Sequence, residues 1–149
     1  MKFEQGIFIL KPGFIHYVDM MQQVCTDNNL VVVRQKVRRL TRAEIIGLYP
    51  EIFTDRADDA TFGERWKQDT IDYLISAKST ISLIEGANVL EKLLELKRHL
   101  RDIEAKDVRP PVTLSREEFI NTSIKNVAHT VDNPDIPRML WLFNLKTRQ

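Results

Sequence analysis

The apolar run Gly6-Ile7-Phe8-Ile9-Leu10 stops at Lys11-Pro12-Gly13. A short continuous run closed by such breakers predicts a buried strand. From His16 to Asp27 the apolar residues Tyr17, Met21, Val24 and Cys25 fall at i, i+4, i+7 and i+8, which is one face of a helix. Asn28-Asn29 ends it. Leu30 to Val37 is rich in valine, and Arg34, Lys36 and Arg38 alternate with their neighbours, so a second strand is predicted there. Thr41-Arg42-Ala43-Glu44 reads as a capping box that opens a short helix reaching Leu48 or Tyr49. After the polar stretch Thr54 to Asp59, a second box, Thr61-Phe62-Gly63-Glu64, opens a helix through Trp66, Ile71, Tyr73, Leu74 and Ile75.

Ser79 to Ile84 is β-branched and apolar, a third strand. Asn88 to about Arg101 carries Val89, Leu90, Leu93, Leu94, Leu96 and Leu100 at helical spacing. Arg109-Pro110-Pro111 breaks any regular element, and Ser115-Arg116-Glu117-Glu118 reads as a third capping box. Pro134 and Pro137 argue against a long helix, so the apolar run Met139 to Phe143 is read as the last strand. The loop before it, from about 102 to 138, is long enough to suggest a functional role. Reduced to its main elements the order is βαββαβ. This is the ferredoxin-like α+β arrangement, a four-stranded antiparallel sheet with helices packed on it, in one domain over residues 1–149.

Composition narrows the class. Hydrophobic residues are 43% of 149 and charged residues 29%, as in an ordinary globular domain. No apolar run approaches the roughly 20 residues of a membrane helix, and no membrane partner is expected. The single cysteine, Cys25, excludes an internal disulfide and a cysteine-based zinc cluster. It suits a reducing compartment, and a cytoplasmic location is the expectation. The net charge of +1 gives no overall field to attract nucleic acid, although Arg34, Lys36, Arg38, Arg39 and Arg42 form a local positive patch.

The candidate chemistry centres on three histidines. His16 follows the first strand, His99 lies on the polar side of a helix, and His129 sits in the long loop within Asn126-Val127-Ala128-His129. No Gly-x-x-x-x-Gly-Lys, Gly-x-Gly-x-x-Gly, Gly-x-Ser-x-Gly or His-x-x-x-His motif is present. What is present is an ordered series. Ile9-Leu10-Lys11-Pro12 closes the first strand, Tyr49 ends a short helix, and Glu85-Gly86 ends the third strand. Thr113-Leu114-Ser115-Arg116-Glu117-Glu118-Phe119 follows, then Asn126-Val127-Ala128-His129, then Leu140-Trp141-Leu142-Phe143. This series on a βαββαβ frame resembles a nucleoside diphosphate kinase over about residues 5–143.

The resemblance implies an enzyme that moves a γ-phosphate between nucleoside tri- and diphosphates through a phosphohistidine. Mg2+ would ride on the phosphates, and the chain would form a homo-oligomer. Matched by position, His129 is the nucleophile. Lys11, Tyr49, Arg116 and Asn126 line the phosphate and ribose. An ungapped count back from Glu85-Gly86 makes Trp66 the platform for the base, and a gapped count makes it Phe62. Arg98 is the best match to a second phosphate-binding arginine, with Lys97 and Arg101 as alternatives. The sequence departs from the family in having Gly13-Phe14 after Lys-Pro and Val131 where a serine normally neighbours the histidine. The family glutamate that orients the histidine has no match, and Asp132 and Asp135 are the alternatives near it. These departures imply a slower enzyme, or a family member reduced to nucleotide binding.

Overall fold

The computed structural model describes residues 3–49, 65–105 and 128–145. Four strands, β1 (Phe3–Leu10), β2 (Val31–Arg38), β3 (Ser79–Ala87) and β4 (Ala128–Thr130), form one sheet in the order β2-β3-β1-β4. All three pairings are antiparallel. The helices are α1 (Val18–Asp27), α2 (Arg42–Leu48), α3 (Arg65–Ser76), α4 (Val89–Ala105) and α5 (Ile136–Leu142), with 3-10 turns at Ile15–Tyr17 and Asn133–Asp135. The ferredoxin-like α+β architecture expected from the pattern is the one found.

β1 lies in the middle of the sheet, with Phe3 opposite Ala87 and Leu10 opposite Thr80. Its alternate residues feed two cores, as the two-residue period of a strand requires. Ile7 and Ile9 join Ile81 and Leu83 beneath α2, α3 and α5, through Ile45, Leu48, Ile71, Leu74, Met139 and Phe143. Phe8 and Leu10 join Ile84 beneath α1 and α4, through Met21, Cys25, Leu93, Leu96 and Leu100. That double burial explains why β1 reads as an unbroken apolar run. Each of these side chains contributes about 1.5–3 kcal/mol of burial. Gly6 lets α4 come close: a Cβ there would lie 2.4 Å from Val89 Cγ1 and 2.8 Å from Leu93 Cδ1.

The capping box at Thr41 is complete. The Glu44 amide donates to Thr41 Oγ1 (3.2 Å), and the Thr41 amide donates to Glu44 Oε1 (2.8 Å). Glu44 is 3% exposed, and Arg38 grips both of its oxygens at 2.8 and 2.6 Å. Burial alone would raise the Glu44 carboxyl, but the bonds from Arg38 and Thr41 outweigh it and hold it below the usual range.

Two expectations need correction. The run Met139 to Phe143 is not a strand: α5 covers Ile136–Leu142. Ile136, Met139, Leu140 and Phe143 are buried at i, i+3, i+4 and i+7, a helical stripe, while Trp141 between them is 72% exposed. Pro137 sits in the first turn, where its missing N–H costs nothing. The last strand is instead β4, only three residues long, so His129 lies on a strand rather than in a loop. The expected long loop is shortened at both ends, because α4 runs on to Ala105 and β4 begins at Ala128. The expected capping boxes at Thr61 and Ser115 fall outside the described residues, as do Phe62, Arg116 and Asn126.

Candidate active site

β4 pairs with the end of β1, with His129 opposite Ile9 and Ala128 opposite Leu10. The Val131 amide extends the pairing by donating to the Ile7 carbonyl (3.2 Å). Ile7, Ile9 and Val131 belong to the core under α2, α3 and α5. His129, opposite Ile9 and two residues before Val131, therefore lies on that face. It is partly buried.

Lys11 follows directly on β1 and is only 4% exposed. The turn behind it is pinned twice. The Phe14 amide donates to the Lys11 carbonyl (3.0 Å), and the Tyr73 hydroxyl of α3 donates to the Pro12 carbonyl. Tyr49 caps the C-terminus of α2, its amide bonded to the Ile45 carbonyl (2.9 Å). Its ring lies near both other groups. The His129 ring centroid lies 4.8 Å away at an interplanar angle of 51°, and Lys11 Nζ lies 5.7 Å from the Tyr49 centroid. The latter is within cation–π range.

The electrostatics follow from this packing. Burial first, then the charges of Lys11 and Lys97, push the His129 imidazole down to about 3. Near neutral pH its ring is therefore uncharged, with a nitrogen lone pair available. Lys97 lies on α4, which packs on β1 and β4, and its charge is the last of the three causes acting on His129. Burial and then Arg101 lower its own pKa, while Asp132 opposes them. Arg98 and Arg101, by contrast, are exposed on α4. The helical period separates them. Lys97 is four residues after the buried Leu93 and three before the buried Leu100, so it shares their face.

A cavity of about 210 Å³ adjoins His129, lined among others by Gly47, Asp132, Asp135 and Arg138. Asp132 and Asp135 thus share a space with the histidine, while the described charges that act on its imidazole are the two lysines. Arg138 donates to the Gly47 carbonyl (3.1 Å) and pairs with Asp135 (3.3 Å). Neither Tyr73 nor Arg138 was singled out from the sequence; both act through backbone carbonyls, which leave no motif. Trp66 lies in the first turn of α3; its side chain is outside the described residues. The structure thus brings together Lys11, Tyr49 and His129 of the expected set. Among the described residues no helix is long and apolar enough to cross a membrane.

No protein-family model matches the chain, and no curated protein sequence does. Solved structures do. The chain is similar to the nucleoside diphosphate kinase of Aquifex aeolicus, with a TM-score of 0.61 and 16% identity over 95% of both chains. It is similar to a halophilic nucleoside diphosphate kinase from Halobacterium salinarum in complex with CDP, with a TM-score of 0.62 and 18% identity over 95% of this chain and 88% of that one. An NDP kinase from Pyrobaculum aerophilum gives 0.58 and 18% over 99% and 97%. At such identities the likeness concerns the path of the backbone. The chain carries a nucleoside diphosphate kinase-like fold.

Proposed function

We propose that this chain is a nucleoside diphosphate kinase that works through a phosphohistidine at His129. The observation that carries the reading is the surroundings of His129 on β4: the Tyr49 ring lies 4.8 Å from the imidazole, Lys11 Nζ lies 5.7 Å from that ring, and burial, Lys11 and Lys97 favour the uncharged imidazole. In the first step an imidazole nitrogen attacks the γ-phosphorus of a nucleoside triphosphate. The N–P bond forms, and the bond from phosphorus to the bridging oxygen breaks. The diphosphate leaves with that electron pair. In the second step a terminal oxygen of another nucleoside diphosphate attacks the same phosphorus, and the N–P bond breaks. Because the lone pair is already free, no base has to remove a proton first.

Lys11 and Lys97 supply positive charge to the phosphoryl oxygens as charge shifts in transfer. Arg116 and Asn126 line the phosphates and ribose, Arg98 adds an outer cation, and Trp66 carries the base. Tyr49 holds the imidazole face. Among the described residues no group of three His, Cys, Asp or Glu side chains converges on a metal. Magnesium would be carried on the nucleotide phosphates, where it would neutralise their charge. The enzyme is proposed to act in the cytoplasm as a homo-oligomer.

Incubation with γ-labelled ATP and magnesium tests the reading. An acid-labile, base-stable phosphoprotein is expected, and a nucleoside diphosphate should discharge it. His129→Ala should abolish the label, whereas His16→Ala and His99→Ala should keep it. Protein that binds ATP but never takes label would mean a nucleotide-binding module instead.

A further inference from the structure

The C-terminus of α2 positions Tyr49, yet α2 is only seven residues long and carries one buried face. A short helix is weakly stable by itself, and its last carbonyls have no partner within the helix. The Gly47 carbonyl is one of these. Its partner comes from α5: Arg138 Nη2 donates to it at 3.1 Å. Asp135, one turn earlier on the same segment, holds the guanidinium at 3.3 Å. The approach is close, since a Cβ on Gly47 would lie 2.6 Å from Leu142 Cδ2 and 3.4 Å from Arg138 Nη1. The far end of α5 is also tied down. Lys36 of β2 donates to the carbonyls of Phe143 and Asn144, both at 3.1 Å. α5 is thus a strut fixed at one end to the sheet and at the other to α2. Two residues beyond the bonded carbonyl, the Tyr49 ring lies against His129.

We propose that Arg138 is a positioning residue for the His129 site, acting through the Gly47 carbonyl to set where Tyr49 meets the imidazole. The bonds of Arg138 run to Gly47 and Asp135, and it lines the cavity beside His129. Its side chain is about half exposed, so its bonds add little to global stability. Its effect lies in placement. A hydrogen bond of this kind shifts a local equilibrium by roughly 3- to 10-fold. The proposal deepens the kinase reading and rests on it for its rate consequence, but not for its geometry.

The test therefore has two readouts. The first is the set of NMR resonances of the His129 ring without nucleotide, which feel the ring current of Tyr49. Arg138→Ala should move them and weaken the Tyr49–His129 nuclear Overhauser contact, and Arg138→Lys, which can still donate to Gly47, should recover most of the change. Asp135→Asn should give a smaller displacement in the same direction, and it serves in place of Arg138→Ala if that variant does not fold. The second is the rate of histidine labelling, expected to fall roughly 3- to 10-fold in Arg138→Ala. Folded Arg138→Ala with unmoved His129 resonances, or displaced resonances that Arg138→Lys does not restore, would overturn the proposal. Wild-type protein that never labels would sink the kinase reading while leaving the resonance test in force.

Discussion

The pH response of His129 offers a direct test of the electrostatic reasoning. An ordinary imidazole titrates near 6.5, so at pH 5 only about 3% of it would be neutral. His129 is pushed down to about 3, by burial first and by Lys11 and Lys97 next. With that value about 99% of it stays neutral at pH 5. Nucleophile should therefore not be limiting between pH 5 and 7. Lys97→Met removes the smallest of the three causes. Its His129 midpoint should rise, by less than removal of the Lys11 charge would raise it, and remain below 6.5. The stability sign follows. Between the folded and unfolded pKa values the unfolded chain binds the extra proton. The neutral ring is thus a liability that grows as pH falls from about 6.5, by at most about 1.4 kcal/mol per pH unit. His129→Ala should flatten this part of the stability curve. The assay is NMR titration of the ring protons in wild type and Lys97→Met, with brief labelling pulses at each pH. A wild-type midpoint near 6.5, or labelling that halves near that pH, would refute the account.

Two further outcomes concern the scaffold. Arg38→Ala leaves the buried Glu44 carboxylate with Thr41 alone and should cost about 1–3 kcal/mol in urea unfolding, discounted because Arg38 is partly exposed. The folded Glu44 pKa is depressed, so the wild-type advantage should be full above the unfolded value of about 4.3 and fade as pH falls through the folded one. Gly6→Ala should lower stability by about 1–3 kcal/mol, seen as a fall in Tm, because the added Cβ would sit 2.4 Å from Val89 Cγ1.

The fold was largely legible because its signals are local. β1 announced itself by an apolar run, α4 by leucines at helical spacing, and α2 by a capping box whose every bond is present. β4 was not legible. Three residues are too few to show a period, and its place depends on pairing with β1, far away in the chain. α5 was misread because an apolar run of five fits a strand or a buried helix equally well; the stripe from Ile136 to Phe143 settles it only when Ile136 is counted. At the site, Lys11, Tyr49 and His129 were found through family resemblance, and the structure brings them to one place. Arg98, preferred by alignment with an extra turn, is exposed on α4, while Lys97 lies on the helix face that packs toward β4. Arg138 was invisible because its target is a carbonyl, and every residue has one.

The depressed pKa of His129 also bears on what positive charge in its surroundings does for a histidine nucleophile. Before transfer Lys11 and Lys97 act only against the protonated ring, since each positive charge opposes protonation. For a ring that has taken up a phosphoryl group the sign reverses. The group brings negative charge next to Lys11 and Lys97, and the same ammonium groups that hold the ring neutral then attract the product of the first step. Burial strengthens both effects, because a low local dielectric amplifies repulsion and attraction alike. Asp132 fits the same balance: it partly offsets the cost of burying Lys97, and its influence falls on the lysine rather than on the imidazole. A carboxylate placed directly against His129 would instead raise its pKa and spend part of the lone pair's availability on a proton. On the proposed reaction, then, the cationic surroundings serve two stages at once, keeping the nucleophile unprotonated before transfer and holding the phosphoryl group after it.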